Sequence, residues 1–159
     1  MLLSQSFSSL IENNNSALNN TSADLLNGLK VFHNNQWYIC GNLALYEGQA
    51  PHKLINSSPN DLDYQLLVKA AMLLVADSVE QPLTITTGFP YATYRIYKDI
   101  AAEELRKTHI IDHDTSTYGG SGKKTVILDV KNVDVFLRLL AAQSLCVKET
   151  KKHLATSLF

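Results

Sequence analysis

The sequence predicts an α/β domain with a mixed sheet flanked by helices. β-prone and helical runs alternate along the 159 residues, in the order hairpin, helix, strand, helix, two or three strands, helix. The strongest helical run, "LLVKAAMLLVA" at 66–76, is apolar except for Lys69, as an element buried on most sides must be. The length suits one domain with one core.

Residues 1–28 form a Ser/Asn-rich leading segment. Asn and Ser side chains compete for backbone hydrogen bonds and favour turns, so a loop is expected, with a frayed strand near 6–11. Residues 29–136 form the domain core. In "LKVFHNNQWYICG", two β-prone runs, 29–33 and 36–40, flank Asn34-Asn35. Asn tolerates the positive φ that a two-residue hairpin turn requires. Val31, Trp37 and Ile39 supply the pairing surface. The stretch 41–60 reads mostly as loop.

A helix is expected over 61–79, capped by Ser58 or Asn60, with Asp61 and Asp63 at the positive end of its dipole. "LTITT" at 83–87 is a short strand, ended by Gly88 and Pro90. Helix returns over 93–107, with Tyr94, Tyr97, Ala101 and Leu105 on one stripe. "THIIDHD" and "KKTVILDV" are strands joined by a Gly-rich hairpin loop, and "NVDVF" continues or restarts a strand. Residues 137–159 read as a C-terminal helix.

Composition excludes several functions. Hydrophobic residues are 45%, charged residues 18% and the net charge is −1, so no electrostatic footprint for nucleic acid or an anionic membrane is visible. No apolar run approaches a membrane span of about 20 residues. The N-terminus lacks the features of a secretory signal. Cytoplasmic residence, with Cys40 and Cys146 as reduced thiols, is the expectation.

The chemical motifs are equally spare. "GGSGKKT" is no phosphate loop: Thr117 stands where the first glycine belongs and Lys124 where the hydroxyl belongs. His109 and His113 of "HIIDHD" share a strand face but lie roughly 13 Å apart, too far to hold one ion. They, Asp112 and Asp114 are expected to be solvated. No G-x-S-x-G elbow exists, and Cys40 has no cationic neighbour in sequence to activate it. Tyr91, Tyr94 and Tyr97 come without a basic patch for base stacking. Catalytic, cofactor-binding and metal residues are therefore expected to be none.

Three segments carry a resemblance. Phe7-Ser8-Ser9-Leu10 resembles the "F-P-S-hydrophobic" start of actin-like plasmid-partition proteins. "NNQWYICGNLAL" resembles their "N-G-x-x-Y-x-V-G-x-x-A" hairpin through Asn35, Tyr38, Gly41 and Ala44. "ITTGFPYATYRIYKD" resembles their "T-G-L-P-x-x-x-Y-x-x-x-K" junction through Thr87, Gly88, Phe89, Pro90, Tyr94 and Lys98. Helix 61–79 lies between the last two, as in that family. "VILDVKNVDVF" is similar to the strand pair that ends this half. The chain thus resembles the N-terminal domain of ParM/StbA-type actin-like proteins over residues 5–136.

The resemblance implies an incomplete ribonuclease-H-like (actin-like ATPase) domain. It implies a relation to filament-forming plasmid-segregation ATPases, whose full-length members use ATP and Mg. The chain departs from the pattern in lacking the family's "D-x-G-x-x-x-x-K" and "D-x-G-G-x-T" phosphate loops. Leu137 stands where a proline is expected, and 137–159 match nothing in the family. A truncated or frameshifted reading frame is the expectation drawn from this. Without phosphate loops the 159 residues are expected to be non-catalytic and to need no cofactor. Partners would be self or a full-length actin-like protein. The alternative is a small stand-alone protein-binding module, contacting its partner through the Tyr91 region. A missing first strand would leave an unpaired sheet edge for strand addition.

Overall fold

The computed structural model describes residues 3–53, 58–138, 144–148 and 153–158. Its strands are β1 Leu3–Phe7, β2 Leu10–Asn13, β3 Lys30–His33, β4 Gln36–Cys40, β5 His52–Lys53, β6 Leu83–Pro90, β7 Thr108–Asp114, β8 Lys123–Arg138, β9 Ser144–Lys148 and β10 His153–Leu158. Its α-helices are α1 Asn42–Glu47, α2 Leu62–Val75 and α3 Tyr91–Leu105. The described strands form one ten-stranded mixed sheet in the order β1-β10-β9-β6-β8-β7-β3-β4-β2-β5.

β8 joins the two halves of that sheet. Its 16 residues contain neither glycine nor proline, so nothing in the run breaks an extended conformation. Residues 123–129 pair antiparallel with β7. From Val130 onward the strand pairs in parallel with β6, with a register shift between Leu83 and Thr84. "NVDVF" thus continues the preceding strand.

The main core lies on one face of the sheet. Leu83, Ile85, Ile111 and Leu128 meet Leu66, Leu67 and Met72 of α2 and Ala101 and Leu105 of α3. Ile39, one residue out of phase with Tyr38 and Cys40, joins Leu43 and Ala44 of α1 in a second, smaller cluster. Away from that cluster the second face is open: Ile110 and Ile127, directly paired, are 63% and 57% exposed.

The hairpin β3–β4 forms as expected, with Asn34 and Asn35 both at positive φ, 49° and 62°. Other expectations are corrected. The C-terminal helix expected over 137–159 is replaced by the end of β8 and by β9 and β10. β6 offers β9 an antiparallel hydrogen-bonding edge, and β9 offers the same to β10. That pairing outweighs the helical propensity of an apolar run. Residues 139–143, 149–152 and 159 of that expected helix lie outside the described residues.

The expected loop at 1–28 holds two strands. β1 pairs in parallel with β10, and β2 pairs antiparallel with β4. The expected loop at 41–60 holds α1 and β5. β6 runs through Gly88 to Pro90 instead of ending at Thr87, because β8 accompanies it to Arg138. It is therefore interior, between β8 and β9, and the sheet edges are β1 and β5.

His109 and His113 are buried, not solvated, since they share the face of Ile111 that the helices cover. The Nε2–H of His109 donates to Leu105 O at 2.9 Å, and Nε2 of His113 lies 3.2 Å from the Tyr118 hydroxyl.

Candidate functional site

The motif residues gather into two separate knots. The first forms where β4 turns into α1. Gly41 has φ 64°, and a Cβ there would come within 2.8 Å of Phe7 Cδ2. Glycine is therefore required twice, by conformation and by contact. Gly41 N donates to Leu10 O at 2.8 Å, and Ser8 N to Asn42 Oδ1 at 3.3 Å. The Phe7–Leu10 segment and the hairpin motif, distant in sequence, are thus one packed unit. Tyr38 is buried with its hydroxyl donating to Gln36 Oε1 at 3.1 Å, and Ala44 is fully buried. Asn35 stays exposed in the turn.

The second knot is the corner between β6 and α3. Thr87 is buried with Oγ1 3.4 Å from the Tyr64 hydroxyl. Phe89 stacks on Tyr64 with centroids 6.0 Å apart and meets Tyr97 edge-on at 5.6 Å. These aromatic geometries add to the gain from burial. Gly88 leaves room for its neighbours on β8: a Cβ would meet Arg138 Cγ at 2.6 Å and Phe136 Cε2 at 2.7 Å. Pro90 supplies φ −57° at the start of α3, the value its ring prefers. Tyr94 and Lys98 lie one turn apart on α3, the Lys98 ammonium 5.9 Å from the Tyr94 ring centroid.

Burial pushes the Tyr64 phenol up to about 12 against the opposing bond from Thr87. It pushes the Cys40 thiol up to about 12 as well. Both stay protonated at neutral pH, so neither is an activated nucleophile. Among the described residues, no group of three or more His, Cys, Asp or Glu side chains could hold a metal ion. Also among them, no helix is long and apolar enough to cross a membrane.

Sequence reasoning missed Tyr64 and the pair Phe136 and Arg138. Tyr64 stood in the first turn of the expected helix, where an aromatic among aspartates was the available signal. Arg138 belonged to a segment read as helix and gave none.

A mixed sheet with a helix before and after a Thr-Gly-aromatic-Pro corner makes this an α/β domain. The family model described as "Actin like proteins N terminal domain" matches residues 3–137, and the chain belongs to that family. Among solved structures, the actin-like protein Alp7A is similar with a TM-score of 0.50 at 13% identity. The similarity covers 87% of this chain and 45% of that one, so the chain spans less than half the length of that relative. No curated protein matches the chain by sequence.

Proposed function

We propose that these residues form the non-catalytic scaffold of an actin-like N-terminal domain of the plasmid-segregation type. By themselves they hydrolyse no ATP. One observation carries this reading: Thr87, Gly88 and Phe89 are spent on packing inside the domain, and none presents a free polar group to a ligand. The sequence agrees, since no Asp-x-Gly tripeptide occurs anywhere in it. Actin-type hydrolysis is positioning plus electrostatic stabilisation of a phosphoryl group, and it needs phosphate loops and a metal. The chain's partner is then a second copy or a full-length actin-like protein, met in the cytoplasm, where a buried Cys40 stays reduced.

Titration calorimetry with Mg-ATP and a phosphate-release assay test the first part. We expect no binding and no turnover; saturable Mg-dependent hydrolysis by the purified chain overturns it. Co-sedimentation with a full-length actin-like protein tests the second part, with pelleting expected only alongside filaments.

A second reading, a stand-alone protein-binding module, is favoured by α3. Its outer face carries Tyr91 at 74% and Ile96 at 62% exposure. Co-sedimentation that survives Tyr91→Ser and Ile96→Ser removes this reading.

A further inference from the structure

Lys69 is the one charge in the apolar run of α2, and the family motifs make no use of it. It lines a cavity of about 190 Å³ between α2, α3 and the start of β7. Its Nζ donates to His33 Nδ1 at 2.8 Å, which leaves two of its three donors over. Among the described residues no carboxylate lies within ion-pair distance of it. Glu104, also on the wall, is engaged by Lys107 at 3.0 Å. Asp112 attracts Lys69 from further off but is held by Lys123 at 3.0 Å and by Thr125. His109 stands on the same wall with Nε2 committed to Leu105 O. Gln65 adds a neutral polar group.

The cavity thus holds one ammonium, that of Lys69, without a matching anion among the described residues. A partly buried ammonium with no counter-ion is costly. Burial and then Lys107 lower the pKa of Lys69, burial and then Lys69 lower that of His33, and burial lowers that of His109. Apart from Thr108 the rest of the lining is largely apolar, with Tyr64, Val68 and Leu105 as its wall. The volume equals about six waters and falls below the roughly 300 Å³ at which drug-sized pockets begin.

We propose that this cavity binds a small organic oxyanion, carboxylate or phosphate, with Lys69 as the principal ligand, His33 beside it, and a short apolar body against Tyr64 and Leu105. Charge-assisted bonds from Lys69 replace the missing counter-ion. The cavity shares the Tyr64 ring with the β6–α3 corner, but Lys69 belongs to neither motif knot, and the proposal stands whether or not the domain takes part in ATP chemistry.

The test is NMR of the His33 and His109 ring protons in the purified chain. Sodium phosphate and sodium succinate are titrated at pH 6.5 against sodium chloride at matched ionic strength, with thermal melts alongside. Saturable ring shifts and a melting temperature that rises with anion concentration are expected in at least one series, and the series that responds assigns the class. Lys69→Met is expected to weaken binding about tenfold or more, the loss of one charge-assisted contact. Lys69→Arg, which keeps the charge, is expected to retain it. Should Lys69→Met fail to fold, His33→Asn is the second variant, expected to weaken binding severalfold. Ring signals that move no more in phosphate or succinate than in chloride overturn the proposal. So does unchanged affinity in a folded Lys69→Met protein.

Discussion

α2 and α3 are nearly equal in length, 14 and 15 residues, and pack on the same face of the sheet, yet nine residues of α2 are buried and two of α3. The difference is written in composition. α2 reads "LDYQLLVKAAMLLV" and has little to show to water, whereas α3 reads "YATYRIYKDIAAEEL" and spreads charge around one narrow stripe. The first helix is core and the second a cover, so equal lengths of helix make very unequal contributions to stability. They meet at Phe89, which touches Tyr64 of α2 and Tyr97 of α3.

The largest effect should come from the meeting point. Phe89→Ala removes a ring that is 2% exposed and contacts both helices. A loss of about 3–5 kcal/mol is expected for a buried phenylalanine, read as the shift in urea midpoint at constant slope. A loss below about 1 kcal/mol, a third of that lower bound, would mean that the two helices are held by other contacts.

Next is α2 itself. Leu67 is fully buried, and Leu67→Ala is expected to cost about 2–5 kcal/mol. The same urea titration checks it, and amide exchange in α2 should be protected close to the global stability.

How much of this contrast could be read from residues alone follows from where each feature is decided. α2, α3 and the Asn34-Asn35 hairpin were legible because periodicity and turn chemistry are local, whereas the short α1 and the strands after β8 (β9 and β10) were not. An apolar run such as "LRLLAAQSLCV" suits a helix by propensity, and only the hydrogen-bonding edge of β6, over fifty residues earlier, makes part of it a strand. The burial of His109 and His113 was hidden for a related reason. Ile110 and Ile111 put an apolar residue on each face of β7, so alternation could not say which face the helices cover. Of the candidate site, the motif residues were named in advance. Their partners Tyr64, Phe136 and Arg138 come from other elements and became visible only on folding.

A third prediction uses pH. Burial holds His33, His109 and His113 below their ordinary range. In the unfolded chain each titrates near 6.5. Above that value neither state binds the proton and stability is full. Below it the unfolded state binds protons that the native state refuses, so stability falls as the pH drops, until the folded groups titrate in turn. The urea midpoint should therefore be flat from pH 8 to 7 and decline below about 6.5. His113, which faces the repelling Lys124 as well as the attracting Asp114 and Asp77, should account for part of it. His113→Asn should flatten the slope.

The smallest effect belongs to the outer face of α3, and it sharpens the contrast most. Ile96 is an apolar residue in a helix, like Leu67, but it stands out in water. Ile96→Ala removes little that folding had buried and replaces a β-branched residue by the best helix former. The expected change in stability lies within about 0.5 kcal/mol of zero, of either sign. A loss approaching that of Leu67→Ala would mean that α3 is covered in solution, and concentration-dependent stability in the same titration would identify the cover as a second copy of the chain. A near-zero value leaves α3 as the cover and α2 as the core.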